Sequence, residues 1–218
     1  TCIDLGTYIT NKIGSIEIKS REEYYIESLY QGDNKTRFVL GEVTGGKPLI
    51  CFGINPSNAK IVDNKFQTDK TIEKIRNITD VEKYDGWIML NLYAQVTSDP
   101  DNLDKALNSD LHSKNIEEIE KILNRFPASN ILACWGNLIE KRMYFKYCLK
   151  GLKIDNDIVN YTFLDKIKDI KGIISLTKNR KWFYRGIITK KGHPNHQVRT
   201  KNSARLEEFN IKKYIKEL

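Results

Sequence analysis

The chain is short of the residues that build metal and redox centres. Its four cysteines, Cys2, Cys51, Cys134 and Cys148, include no C-x-x-C pair. That excludes zinc ribbons and thioredoxin-like motifs. Cys51 and Cys134 each stand in an apolar run, where a buried reduced thiol is expected. There are only three histidines, and no third ligand accompanies the two that lie close together, so no metal and no other cofactor is expected. No apolar run approaches the roughly 20 residues that span a bilayer, and no basic-then-apolar segment opens the chain. Cytoplasmic location and no membrane association follow as expectations.

What is present is positive charge. Lysine and arginine number 36 against 28 acidic residues, a formal net charge of +8. Such an excess attracts polyanions and gains from counterion release. With 40% hydrophobic residues in 218, the composition suits one domain with a sizeable core. The expected organisation is an N-terminal elaboration over residues 1–34 and an α/β domain over 35–218, acting as a monomer.

Hydrophobic periodicity supplies the elements. A helix is predicted from Ser20 to about Tyr30. A strand is predicted over Arg37–Val43. Pro48–Phe52, Trp87–Leu90 and Ile131–Trp135 read as strands buried on both faces. Helices are predicted over 67–79, capped by Thr68 or Asp69 with Ile72, Ile75 and Ile78 inward, over 113–126, and after the strand-breaking Gly136 through Leu149. Ile173–Leu176 and Gly186–Thr189 are further strand candidates, and Ala204–Leu218 reads as helical. Strands alternating with helices predict a three-layer α/β/α fold with a mainly parallel central sheet. Ligands of such folds bind beyond the carboxyl ends of the strands.

Three candidate segments follow predicted strands. Gly53-Ile54-Asn55-Pro56-Ser57 combines a tight exit, a stiffened loop and a polar side chain. Asn91 ends the next strand, and its amide offers donors and acceptor for one edge of a nucleobase. Trp135-Gly136-Asn137 ends the third, with Trp135 expected in the core. The fourth segment, Lys190-Lys191-Gly192-His193-Pro194-Asn195-His196-Gln197-Val198-Arg199, holds two of the three histidines beside Lys190, Lys191 and Arg199. Histidine in a basic loop suits phosphate contact or stabilisation of a developing anion. The Gly53–Ser57 and Gly192–His196 loops are expected to form two halves of one nucleic-acid-facing site.

In this order and spacing the segments resemble the uracil-DNA glycosylase superfamily. Gly53–Ser57 resembles its first catalytic motif, Asn91 its base-reading strand end, Ala133–Gly136 an apolar-Trp-Gly strand end, and His193-Pro194 its second catalytic motif. More closely, about Arg37 to Arg199 resembles a family of bacterial proteins known as domain of unknown function 1643. The glycosylase resemblance implies that fold and base excision, in which the target nucleotide leaves the stack. It implies Asn55 and His193 as catalytic residues, with Gly53, Ile54, Pro56, Ser57 and Asn91 around the base. Lys190, Lys191, Pro194, Asn195, His196 and Arg199 would meet DNA.

The sequence departs from that pattern at Asn55, where an aspartate is usual, and at Ser57, Asn195, His196 and Gln197. These departures point to binding of DNA, single- or double-stranded, or of an acidic DNA-mimicking inhibitor protein, without efficient uracil excision. The alternatives are an active DNA glycosylase and a hydrolase of nucleotide or small-molecule glycosidic bonds.

Overall fold

A computed structural model describes residues 16–19, 24–57, 60–62, 65–67, 69–153 and 169–218. The first elements are strands β1 (Ile16–Lys19), β2 (Tyr24–Gly32), β3 (Arg37–Val43) and β4 (Leu49–Gly53), then a small hairpin of β5 (Lys60–Val62) and β6 (Lys65–Gln67). Helix α1 (Lys70–Val81), β7 (Gly86–Asn91), α2 (Ser109–Arg125), β8 (Ile131–Ala133) and α3 (Met143–Lys150) follow. A second small pair, β9 (Leu152–Lys153) and β10 (Asp169–Ile170), precedes β11 (Trp182–Arg185), β12 (Leu206–Glu208) and α4 (Ile211–Glu217).

The main sheet has the order β1-β2-β3-β7-β4-β8-β11-β12. Its centre, β7-β4-β8-β11, is parallel, whereas β1, β2, β3 and β12 join antiparallel at the two edges. The sheet is therefore mixed, not mainly parallel as the alternation of elements predicted. Antiparallel edge strands need no crossover helix, so helix–strand alternation in the sequence does not reveal them.

Side chains of the central strands alternate between two cores. Leu49, Cys51, Trp87, Met89, Leu132 and Cys134 face α1, which contributes Ile72, Ile75 and Ile78 as predicted. Ile50, Phe52, Ile88, Leu90, Ile131 and Ala133 face the core built by α2, α3 and α4. Helices thus cover both faces of the sheet. Ile116, Ile119, Ile122, Leu123 and Phe126 are buried, as the periodicity of α2 requires. Cys51, Cys134 and Cys148 are buried free thiols.

Four local expectations change. The helix predicted over Ser20–Tyr30 is strand β2 from Tyr24 onward, with residues 20–23 outside the described set. Its Glu27–Gln31 stretch pairs in register with β3, and that ladder outweighs local helix signals. Ile173–Leu176 is a 3-10 turn, because the place beside β8 belongs to β11, through Trp182↔Ile131 and Phe183↔Leu132. Gly186–Thr189 forms only an isolated bridge, Ile188 to Pro194, a residue with no N–H to extend a ladder. The tail is helical only over α4, since Leu206–Glu208 pairs with β11. Asp69 caps α1, and Thr68 lies outside the described residues.

Candidate functional site

β4, β7 and β8 point their carboxyl ends at one cleft. The chain steps from β4 to β7 on one side and to β8 on the other, so strand order reverses at β4, where open α/β sheets leave a crevice. The cleft has two chambers. The inner one is about 180 Å³ and is walled by the β4 loop, the end of β7 and the start of α1. The outer one is about 650 Å³ and lies between the turn after β8 and the 189–199 loop. Leu138 and His196 line both.

The inner chamber begins with Gly53. Its backbone runs so close to β7 that a Cβ there would lie 2.6 Å from Met89 Cε and 2.9 Å from Asn91 Oδ1. Asn91 is 1% exposed, and its Oδ1 has no hydrogen-bond partner. Its backbone oxygen is held by Asn115 of α2, which donates from Nδ2 over 3.0 Å. The Asn55 side chain donates from Nδ2 to Thr97 O (2.8 Å), Pro56 O (3.0 Å) and Gln95 O (3.4 Å). Asn55 thereby pins its loop to the segment after β7 and keeps only its oxygen for a ligand. Ser57 Oγ donates to Asp69 Oδ2 over 2.7 Å, while Asp69 Oδ1 accepts from the Thr71 and Ile72 N–H groups that open α1. Arg37 enters from β3, buried, with Nη1 3.5 Å from Ser57 O. Burial brings its pKa down to about 10, so it stays cationic at neutral pH.

The other half of the cleft hangs on Gly136. At φ +60 it turns the chain after Trp135, and its N–H donates to Pro194 O over 2.9 Å. A Cβ at Gly136 would lie 3.2 Å from the His196 Cβ. Thr189 closes the loop on itself: its N–H donates to His193 O (2.8 Å), and its Oγ1 accepts from His193 N–H (3.1 Å) and donates to Asn137 Oδ1 (2.7 Å).

His193 and His196 have different roles in this loop. His193 is 4% exposed and lines neither chamber. Its Nδ1 is 2.8 Å from Tyr214 Oη, which accepts from Trp135 Nε1 at 3.0 Å. Its Nε2 is 3.1 Å from Glu140 Oε1. A carboxylate can only accept, so Nε2 carries a proton, and in the neutral ring Nδ1 accepts from the tyrosine. The hydrogen-bonding capacity of His193 is spent within the protein. His196 is half-buried and lines both chambers. Its Nδ1 accepts from Val198 N–H over 3.4 Å, so the neutral ring carries its proton on Nε2. Burial lowers its pKa; nearby Asp69 opposes that shift and Arg199 adds to it.

The structure thus gathers Gly53, Ile54, Asn55, Ser57, Asn91 and His196 around the inner chamber and Lys191, Asn195, His196 and Arg199 around the outer one. Pro56 and Pro194 are buried in the loops that shape the walls, and Lys190 is exposed outside both chambers. Lys191 is paired with Glu140, whose own pKa is lowered by its hydrogen bonds to Lys191 and His193. Sequence reasoning passed over Arg37, Asp69, Asn115 and Tyr214. Only Asp69 carried a local signal, as a helix cap. The others reach the cleft through pairings distant in sequence. Among the described residues no group of three or more His, Cys, Asp or Glu could hold a metal ion, and no helix is long and apolar enough to cross a membrane.

Residues 37–197 match a family described as protein of unknown function (DUF1643). No curated protein and no solved structure matches the chain.

Proposed function

This chain belongs to the DUF1643 family, and from that premise we propose that its cleft binds a nucleobase of DNA on a uracil-DNA glycosylase-like scaffold, without efficient excision of uracil. One observation carries the reading: the amide oxygen of Asn91, a residue lining a small chamber at the strand ends, is buried and unpartnered. A buried carbonyl left without a donor costs about 1–3 kcal/mol. A ligand that brings an N–H into the chamber recovers that cost. The chamber is smaller than the roughly 300–1,000 Å³ of sites for drug-sized ligands, which suits a single ring taken out of its stack. The net charge of +8 favours an anionic partner, DNA or an acidic protein that imitates it.

Efficient hydrolysis would need a group to activate water and an acid to meet the leaving base. Asn55 is a poor base, and its amide is already committed to its own loop. His193 is enclosed, so His196 with its Nε2–H is the donor that a bound ligand would meet. These features support binding over cutting.

The test is fluorescence anisotropy and base-release assays on uracil-containing single- and double-stranded oligonucleotides. The expected result is salt-sensitive binding, weakened at least about tenfold in Asn91→Ala, with base release no higher than in Asn55→Ala. Robust release lost in both Asn55→Ala and His193→Ala would establish an active glycosylase instead. Absence of DNA binding, with binding of free nucleosides retained, would move the reading to a small-molecule site.

A further inference from the structure

Three cations line the outer chamber, and two of them are already neutralised. Lys191 is paired with Glu140, and Lys141 with Asp101. Arg199 makes no ion pair among the described residues and is exposed. It sits on the short turn Gln197–Arg199, and its backbone N–H donates to His196 O over 2.9 Å. That places it three residues from His196, which lines both chambers. A phosphate approaching Lys191 or Lys141 must compete with a carboxylate. One approaching Arg199 displaces nothing and meets a planar fork of donors matched to its oxygens.

We propose that the ligand of this cleft is a phosphorylated nucleoside unit, with its ring in the inner chamber and its phosphate held by Arg199 in the outer one. This rests on the base-binding reading above and adds the ligand's second half. His196 stands at the junction, where its Nε2–H can donate to the sugar–phosphate link. The exposed Val198 beside it offers apolar surface to the sugar. Lys191 acts instead on the protein: with His193 it holds Glu140 in place and offsets a charge that would repel the phosphate.

The experiment is titration calorimetry with deoxyuridine and the four common deoxynucleosides, each alone and as its 5′-monophosphate, with inorganic phosphate and a single-stranded oligonucleotide alongside. At least one monophosphate is expected to bind about tenfold or more tightly than its nucleoside, the size of one charge-assisted contact. Arg199→Gln should abolish that advantage, whereas Lys153→Gln on β9, a charge-matched control, should preserve it. Equal affinities for nucleoside and monophosphate overturn the proposal. So does an advantage that survives Arg199→Gln. If the oligonucleotide binds and the monophosphates show no preference, the phosphate assignment fails while the base-binding reading stands. If neither the small probes nor the oligonucleotide bind, the base-binding reading fails and takes this proposal with it.

Discussion

Gly53 owes its identity to crowding, since its backbone is ordinary strand and its missing side chain is what lets β4 and β7 meet beside the cleft. A methyl group there would press on Met89 Cε and Asn91 Oδ1. Overpacking of this kind costs about 1–3 kcal/mol. Gly53→Ala should therefore lower the urea midpoint and weaken ligand binding, because Asn91 must move. An unchanged midpoint with intact binding would show that Met89 yields freely. At this scale Asn55 and Asn91 were legible, each being a polar residue at the end of an apolar strand. The division of labour between His193 and His196 was not. The two lie three residues apart in one polar loop, and burial against Tyr214 and Glu140 decides which is enclosed.

Elements are coupled to the site through their ends. Asp69 caps α1 with one carboxylate oxygen and holds Ser57 with the other, so the helix start and the β4 loop share one side chain. Loss of an N-cap costs about 0.5–2 kcal/mol. Asp69→Ala should lose at least that in chemical denaturation and loosen the 53–57 loop, while Asp69→Asn, an equally good cap, should recover most of the stability. Equal loss in both variants would assign the effect to charge and not to capping. At the far side, α4 supplies Tyr214. Tyr214→Phe leaves Trp135 Nε1 and His193 Nδ1 without their partner. A loss of about 1–3 kcal/mol is expected, with faster amide exchange confined to residues near 189–199. Unchanged exchange there would mean that Gly136 and Thr189 hold the loop unaided.

The whole molecule is tuned toward neutral pH by histidines held uncharged. Burial lowers the pKa of His112 on α2, whose Nε2 lies 2.9 Å from Lys171 O, and that of His196 in the cleft. In the unfolded chain both revert toward 6.5. The folded state binds fewer protons below that value, so stability is complete above pH 6.5 and declines as pH falls toward the lowered folded values. Glu140 is also lowered, from 4.5, so its contribution persists through that window and is lost only at more acidic pH. Urea midpoints should fall between neutral and mildly acidic pH, and His112→Gln should flatten part of that slope. A flat wild-type profile above pH 5 would refute the assignment.

What the sequence by itself determined are the features encoded by neighbours along the chain. The apolar runs that become β4, β7 and β8, the inward faces of α1 and α2, and the polar residues at the strand ends all follow from local periodicity. Family membership is likewise carried by the sequence, over residues 37–197. Tertiary structure alone decided the antiparallel edges of the sheet, the strand character of Tyr24–Gly32 and the replacement of Ile173–Leu176 by Trp182–Arg185 beside β8. It also sorted the basic loop, enclosing His193 between Tyr214 and Glu140, pairing Lys191 with Glu140 and leaving His196 and Arg199 facing the cleft. Ladder pairing, burial and ion pairing join residues tens of positions apart, and a local pattern carries no record of which distant partner will arrive.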